Sequence, residues 1–306
     1  MTDFAAITPP EITTDQVLGF TIPAQHARGR VVRLEDVLDT ILSAHAYPAP
    51  IANVLAEALV LTALGGALLK DDGSQATMQA QTQDGPIRLL VCDCRGDEMR
   101  GYVDFDPERL ADLGPAPSLA ALFGPRDTGG YLAVTFDLAN GKGRYQGIVP
   151  LEGDSLAAAV EGYFQQSEQV PTLIRVAVSA TDTGHRAAGM LVQHLPEGEE
   201  GRERLHTRFD HPEWEHVAAL AGSLRADELL DPGLSLDAIV WRLFHDEEEV
   251  RVFAGPPLTR GCRCSVAHYE AVVGRFPEED RAEMRNEAGE IVVDCAFCSQ
   301  SFTIAA

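Results

Sequence analysis

Gly261-Cys262-Arg263-Cys264 and, beyond residues 265–294, Cys295-Ala296-Phe297-Cys298 set a C-x-C…C-x-x-C pattern near the end of the chain. Two closely spaced cysteine pairs brought together by a fold supply the four thiolates of a tetrahedral zinc site. Each pair can also close on itself as a disulfide, because its sulfurs stand only one or two residues apart. The surrounding segment, 258–306, is short and poor in large apolar side chains. Such a module needs a staple, and zinc on four thiolates provides about 10–16 kcal/mol of folding energy in comparable peptides. Oxidation would not exchange one staple for another. A Cys262–Cys264 bond closes a small, sharply bent ring, Cys295–Cys298 links only a turn, and neither joins the two halves of the module. A reduced, zinc-bound, folded state and an oxidised, open state are both written into this stretch. A purely structural zinc staple fits the bare pattern equally well.

The 306 residues, 45% hydrophobic, are enough for a sizeable core and about two domains. A formal charge of −23 argues against a nucleic-acid partner and against an anionic membrane surface. Six cysteines are too few for a disulfide scaffold of this length. Met1-Thr2-Asp3-Phe4 shows no basic stretch followed by an apolar one, so no secretory signal is expected, and a reducing cytoplasm is the expected compartment.

The periodicity of Leu34, Val37, Leu38, Ile41 and Leu42 predicts a helix from Leu34 to Ala44. Ile51 to Leu69 is long enough to cross a bilayer. Its alanine and glycine content, Glu57 and the lack of aromatic or basic flanks make it a buried core helix instead. Strands are expected at Thr77–Gln81, Ile87–Cys92, Arg100–Val103, Tyr131–Leu138 and Arg144–Val149, with Asn140-Gly141 as a hairpin turn. Gly141-Lys142-Gly143 lacks the spacing and the Ser or Thr of a phosphate loop, so no nucleotide is expected. Ser155 reads as the N-cap of a helix with Leu156, Val160, Tyr163 and Phe164 on its apolar face. Strands at Leu173–Ala180 and Ala188–Leu195 complete an α+β domain. Cys92 and Cys94 share one face of a strand and read as small core thiols rather than a second metal site.

Composition shifts at Pro196, where interleaved acids and arginines read as a solvated, flexible junction. Trp214, Val217, Ala218 and Ala221 share one helical face; Leu236, Ile239, Val240, Leu243 and Phe244 share a cleaner one, with Asp231-Pro232-Gly233 between them. Trp241 lies off that stripe and calls for another surface to cover it. Asp246 to Glu249 read as four acids at a helix C-terminus, where the macrodipole and mutual repulsion make the last turn easy to lose.

Together these features resemble the redox-regulated 33 kDa heat-shock chaperone family. The resemblance rests on the cysteine module and on Gly29-Arg30-Val31-Val32-Arg33-Leu34, Tyr47-Pro48, Arg100-Gly101-Tyr102 and Tyr145-Gln146-Gly147-Ile148-Val149. It continues through Leu151-Glu152-Gly153-Asp154, Tyr163-Phe164, Ser167-Glu168-Gln169-Val170-Pro171-Thr172 and Trp241-Arg242-Leu243-Phe244-His245. It covers nearly the whole chain. Two features depart from the family pattern: Ser265-Val266-Ala267-His268-Tyr269 lacks the expected basic residues, and Cys92 and Cys94 are extra.

The resemblance implies an α+β core domain (1–195), a charged, partly helical metastable linker (196–257) and a small C-terminal zinc domain (258–306). It implies a holdase, not an enzyme, that captures unfolding client proteins without ATP. One zinc per chain would sit on Cys262, Cys264, Cys295 and Cys298. Oxidation to Cys262–Cys264 and Cys295–Cys298 disulfides would release the metal, loosen the linker and favour a homodimer. Clients are expected on the linker's apolar faces, at Trp214, Leu236, Ile239, Val240, Trp241, Leu243 and Phe244. The longer Cys295–Cys298 turn closes with less strain and is expected to oxidise first. A dithiol oxidoreductase working through Cys295 and Cys298 is the rival activity. A constitutive structural zinc protein is the rival without redox function.

Overall fold

A computed structural model describes residues 13–71, 73–124, 130–141, 143–151, 153–181, 184–195 and 210–304. In chain order the elements are β1 (Gln16–Ile22), β2 (Ala27–Leu34), α1 (Asp36–Leu42), α2 (Ala49–Gly66), β3 (Gln75–Gln81), β4 (Ile87–Arg95) and β5 (Glu98–Phe105). Then come α3 (Pro107–Ala111), α4 (Leu119–Phe123), β6 (Tyr131–Leu138), β7 (Gly143–Pro150), α5 (Leu156–Tyr163), β8 (Thr172–Thr181) and β9 (Gly184–His194). The last third holds α6 (Pro212–Gly222), α7 (Ala226–Leu230), α8 (Leu236–Phe244), β10 (Arg251–Pro257), β11 (Thr259–Arg260), α9 (Val266–Val273), α10 (Glu278–Glu283), β12 (Ile291–Asp294) and β13 (Ser301–Ile304). The fold is α+β, as the sequence led one to expect.

Two sheets sandwich α2. One has strand order β10-β1-β2-β9-β8, the other β11-β5-β4-β3-β6-β7. By length and composition α2 is apolar enough to cross a membrane, yet Ile51, Leu55, Leu59 and Leu64 are fully buried among side chains of both sheets. It is the core helix. Gly189 on β9 allows its close approach, since a Cβ there would lie 2.5 Å from Val60. Glu57 is not idle, as its carboxylate accepts the Ala157 N–H at the start of α5 (2.9 Å), beside the Ser155 cap on Ala158. Cys92 and Cys94 belong to this core, where burial pushes both thiols well up, Cys94 to about 12.

The five-stranded sheet is apolar on both faces. Along β9, Ala187 and Leu191 face α2, while Ala188, Met190 and Val192 face the other way. That second face is completed by Phe20, Ile22, Ala27 and Val31. It is covered by Trp214, Val217, Leu229, Leu236, Ile239, Val240 and Phe244 from α6–α8. Phe244 stacks near Phe20, with ring centroids 5.5 Å apart. Arg33 on β2, fully buried, donates to the carbonyls of Leu229 (2.7 and 3.0 Å) and Leu234 (2.9 Å). Its charge sits where the dipole of α7 is negative.

Several expectations need correcting. Leu34 ends β2 rather than opening a helix, and α1 starts at Asp36. Asp246 to Glu249 lie beyond the end of α8, so their repulsion is not stored in a helical turn. Glu247 is instead bonded to His216 (2.7 Å) and Gln25 (2.9 Å), and Glu249 to Arg251 (2.9 Å). Trp241 finds no covering surface and is 65% exposed, touching the His245 ring at a centroid distance of 5.1 Å. The stretch after α8, within the region expected to be partly helical, also holds an unexpected strand: β10 joins the sheet beside β1 as an edge strand, with no further partner strand among the described residues. The junction read at Pro196 lies outside the described residues.

Candidate metal centre and its docking surface

The four cysteines of the C-x-C and C-x-x-C pairs converge. Cys262 and Cys264 follow β11, whose Thr259 and Arg260 pair in parallel with Glu98 and Met99 of β5. Gly261 continues this contact, donating to the Met99 carbonyl (2.9 Å); a Cβ there would lie 2.5 Å from Glu98. Cys295 and Cys298 occupy the tight turn between β12 and β13. Cys298 and Ser299 N–H groups both point at the Cys295 carbonyl (3.3 and 2.8 Å), and Ser299 takes a left-handed φ of 54°.

All four sulfurs lie within 4.8 Å of one another. Cys262 is 3.1 Å from Cys264 and 3.5 Å from Cys295, and Cys264 is 3.4 Å from Cys298. These separations exceed the roughly 2.05 Å of a disulfide, so all four are thiols. They lie close to the edge of about 3.8 Å of a tetrahedron with metal–sulfur bonds near 2.3 Å. Cys295 and Cys298 are buried, Cys262 and Cys264 half-buried. Burial pushes the Cys295 thiol up, but hydrogen bonds from the Tyr269 hydroxyl and the Phe297 and Cys298 N–H groups outweigh it, and its pKa falls to about 6. Burial and the three neighbouring sulfurs hold Cys264 well above the usual thiol range, and burial also raises Cys298. A soft, all-sulfur donor set with backbone N–H groups turned toward it fits zinc. The rest of the module has little core, with Val273, Ile291 and Ile304 as its buried apolar cluster.

The residues between the cysteines do different work. Arg263 reaches the core domain, donating to Asp93 (3.1 Å) and Gln75 (2.6 Å). Asp93, 2% exposed, also accepts from Arg100 (2.8 Å). Phe297 lies edge-on to Tyr102 (centroids 4.9 Å) and under the Arg100 guanidinium (4.0 Å). Ser299 bonds His45 (3.0 Å). The C-x-C and C-x-x-C loops are therefore seated on β4 and β5 through their non-cysteine residues. Sequence reading missed this seat, although Arg100-Gly101-Tyr102 stood out as a motif and Arg263 and Phe297 lie inside the patterns.

Asp93→Asn is expected to weaken the seat while leaving Cys262, Cys264, Cys295 and Cys298 in place. A fully buried pair broken at one partner costs about 3–5 kcal/mol; the partly hydrated arginines reduce this to about 1–3 kcal/mol. Limited proteolysis at 251–265 should accelerate while bound zinc stays unchanged.

Of the linker residues singled out from sequence, Trp214, Leu236, Ile239, Val240 and Phe244 are buried against the sheet, Leu243 is half-buried and Trp241 is open. The structure thus brings the four cysteines together at one point and holds the apolar linker faces at another.

A family model described as "Hsp33 protein" matches residues 15–305. The 33 kDa chaperonin of Caulobacter vibrioides is 40% identical, over 99% of this chain and 98% of its own. That of Shigella boydii is 35% identical over 94% and 91%. The crystal structure of the 33 kDa chaperonin of Thermotoga maritima shares the fold, with a TM-score of 0.76 over 95% of each chain at 22% identity. With a family model spanning both the sheets and the cysteine centre, the chain belongs to the Hsp33 family, which are chaperones and not enzymes.

Proposed function

We propose that this chain is a redox-switched, ATP-independent holdase for unfolding proteins. The observation that carries the reading is the juxtaposition of a four-thiol centre with a module that has almost no core of its own. That module is seated on the domain whose second apolar sheet face is covered by α6–α8. A bound zinc ion would keep Cys262, Cys264, Cys295 and Cys298 deprotonated and tie the two cysteine loops together.

With peroxide as oxidant, each pair of thiolates gives up two electrons, and solvent supplies two protons. One S–S bond forms, the O–O bond breaks and two waters leave. The products, Cys262–Cys264 and Cys295–Cys298, bond within each loop and leave the loops unconnected. The longer Cys295–Cys298 turn closes with less strain and goes first; mass mapping of partly oxidised protein that finds Cys262–Cys264 ahead would refute that order. Without its staple the module loses the placement of Arg263 on Asp93 and Phe297 on Tyr102. The domain boundaries at 195/196 and 257/258 then mark a core that stays folded and a linker that comes away. Trp214, Leu236, Ile239, Val240, Trp241, Leu243 and Phe244, with Phe20, Ile22, Val31 and Met190 beneath them, become the client surface. The same surface favours a dimer of the oxidised form. A reducing cytoplasm is the setting in which such thiols rest; nucleotide, nucleic acid and membrane have no part in the scheme.

Zinc content and suppression of thermal aggregation, measured on one sample before and after peroxide at raised temperature, test the reading. Loss of about one zinc per chain together with new holdase activity supports it. Retained zinc, or loss without activity, reduces the site to a staple. Trp241→Ala separates client contact from fold: the side chain is exposed, so stability should change by less than about 0.5 kcal/mol. Client capture by the oxidised form, read as the chaperone-to-client ratio for half-suppression, should weaken severalfold.

A further inference from the structure

Outside the cysteine centre, the described residues hold one other cluster with the composition of a metal site. His194 ends β9, His211 precedes α6 and Glu213 lies in its first turn; a ligand atom from each lies within 4.8 Å of the others. The three come from two separate parts of the fold, the last strand of the core and the first helix that covers it.

Glu213 Oε2 is the focus. His194 Nε2 stands 3.5 Å from it and His211 Nδ1 3.7 Å. His26, in the turn between β1 and β2, donates its Nδ1–H to the same oxygen at 2.8 Å. His211 Nδ1 also faces the Glu213 N–H at 3.4 Å as a loose N-cap. The His194 ring packs beside those of His211 (5.1 Å) and Trp214 (6.3 Å).

Two features set this cluster apart from ordinary surface pairing. His194 is 97% buried by its 3% exposure, yet among the described residues neither ring nitrogen makes a well-formed hydrogen bond. Buried polar atoms in native folds are satisfied, and an imidazole aimed at a carboxylate and a second imidazole without bonding either is short of a partner. His26 adopts a left-handed φ of 45°, a conformation uncommon outside glycine. Its backbone carbonyl is fixed by the Leu195 N–H at 2.7 Å, directly after His194. That conformation closes the short helical turn Pro23–Gln25, with the His26 N–H on the Pro23 carbonyl (3.2 Å), and leaves the ring against Glu213.

We infer that His194, His211 and Glu213 form a second cation site, for a first-row divalent metal such as zinc, with His26 orienting the carboxylate. Two imidazoles and a carboxylate are the donors of three-ligand zinc sites, with water filling the fourth position. His211 and Glu213 are about one-third exposed, leaving the site open to solvent on the side away from His194. The hydrogen bond from His26 is the outer contact that metal-bound carboxylates ordinarily receive. An ion there would pin the start of α6 to the end of β9, fastening the covering helices by a link that contains no sulfur and is indifferent to peroxide.

The test uses the full-length reduced protein with its cysteine centre saturated with zinc, titrated with further zinc chloride in dialysis equilibrium. A second equivalent is expected. His211→Ala and Glu213→Gln, both at partly exposed positions, should each abolish it. His26→Gln should weaken it by about 10–100-fold, the range for outer contacts. On the unaltered protein, zinc should shield His211 from diethyl pyrocarbonate while His245 and His268 stay reactive, and should slow amide exchange in 212–222. A single equivalent per chain overturns the inference. So does a second equivalent that survives both His211→Ala and Glu213→Gln, which would place it on the acidic surface at large. Unchanged modification of His211 overturns it as well.

Discussion

Cys295→Ser is expected to unfold the C-terminal module from α9 to β13 while the two large sheets persist. Cys295 is the sulfur that three donors converge on, and it lies 3.5 Å from Cys262 across the gap between the two loops. Serine keeps the size but not the soft, readily ionised donor. The staple it removes is about 10–16 kcal/mol in comparable peptides, more than the roughly 4.5–9 kcal/mol that burying Val273, Ile291 and Ile304 supplies before chain entropy is set against it. Amide exchange in 265–304 should approach that of an unfolded chain, and bound zinc should fall away. Protection in α2 and β3–β6 should be unchanged. A module that stayed protected without metal would mean that its docking on β4 and β5, not the cysteines, holds it folded.

Phe244→Ala is expected to have the second large effect, on the cover of the sheet. The ring is fully buried against Phe20 and closes the apolar face of α8. Its truncation costs about 3–5 kcal/mol, which raises the uncovered population from about a hundredfold to a few thousandfold. The reduced, zinc-bound variant should therefore suppress client aggregation without oxidant. Normal zinc content with no gain in activity would show that the sheet face under α8 is not where clients bind. The two variants probe opposite ends of the proposed coupling, the first removing the clamp and the second the part that would be clamped.

What could be read from the sequence follows a physical line. Period-2 strands with one wet face, β3 to β7, and the helix stripe of α8 declare themselves locally. β1 and β2 do not, although β8 and β9 of the same doubly covered sheet do. Val17, Leu18, Phe20 and Ile22 break simple alternation, and Arg33 inside β2 is a buried cation that no pattern distinguishes from a surface one. β10 was not expected, since Gly255, Pro256 and Pro257 are residue types depleted in strands. The acids after α8 were legible as a run but not as partners, since His216 and Gln25 are remote in sequence. At the metal centre the four cysteines were evident from spacing alone. Their seat was not, because Asp93, Arg100 and Tyr102 meet Arg263 and Phe297 only once β11 lies along β5. The histidine cluster at Glu213 was invisible for the same reason.

The pairing of β10 with β1 has a consequence for biosynthesis. Residues 16–21 form an inner strand only when 251–257 arrives, and the helices that hide Phe20 and Met190 lie between them in sequence. Chains emerge from the ribosome N-terminus first and their domains fold in that order, while such distant contacts form late. Between the emergence of β9 and that of α8 the nascent chain is therefore a sheet with one apolar face open and a bare edge at β1. The first chain to cover that face is the protein's own last third.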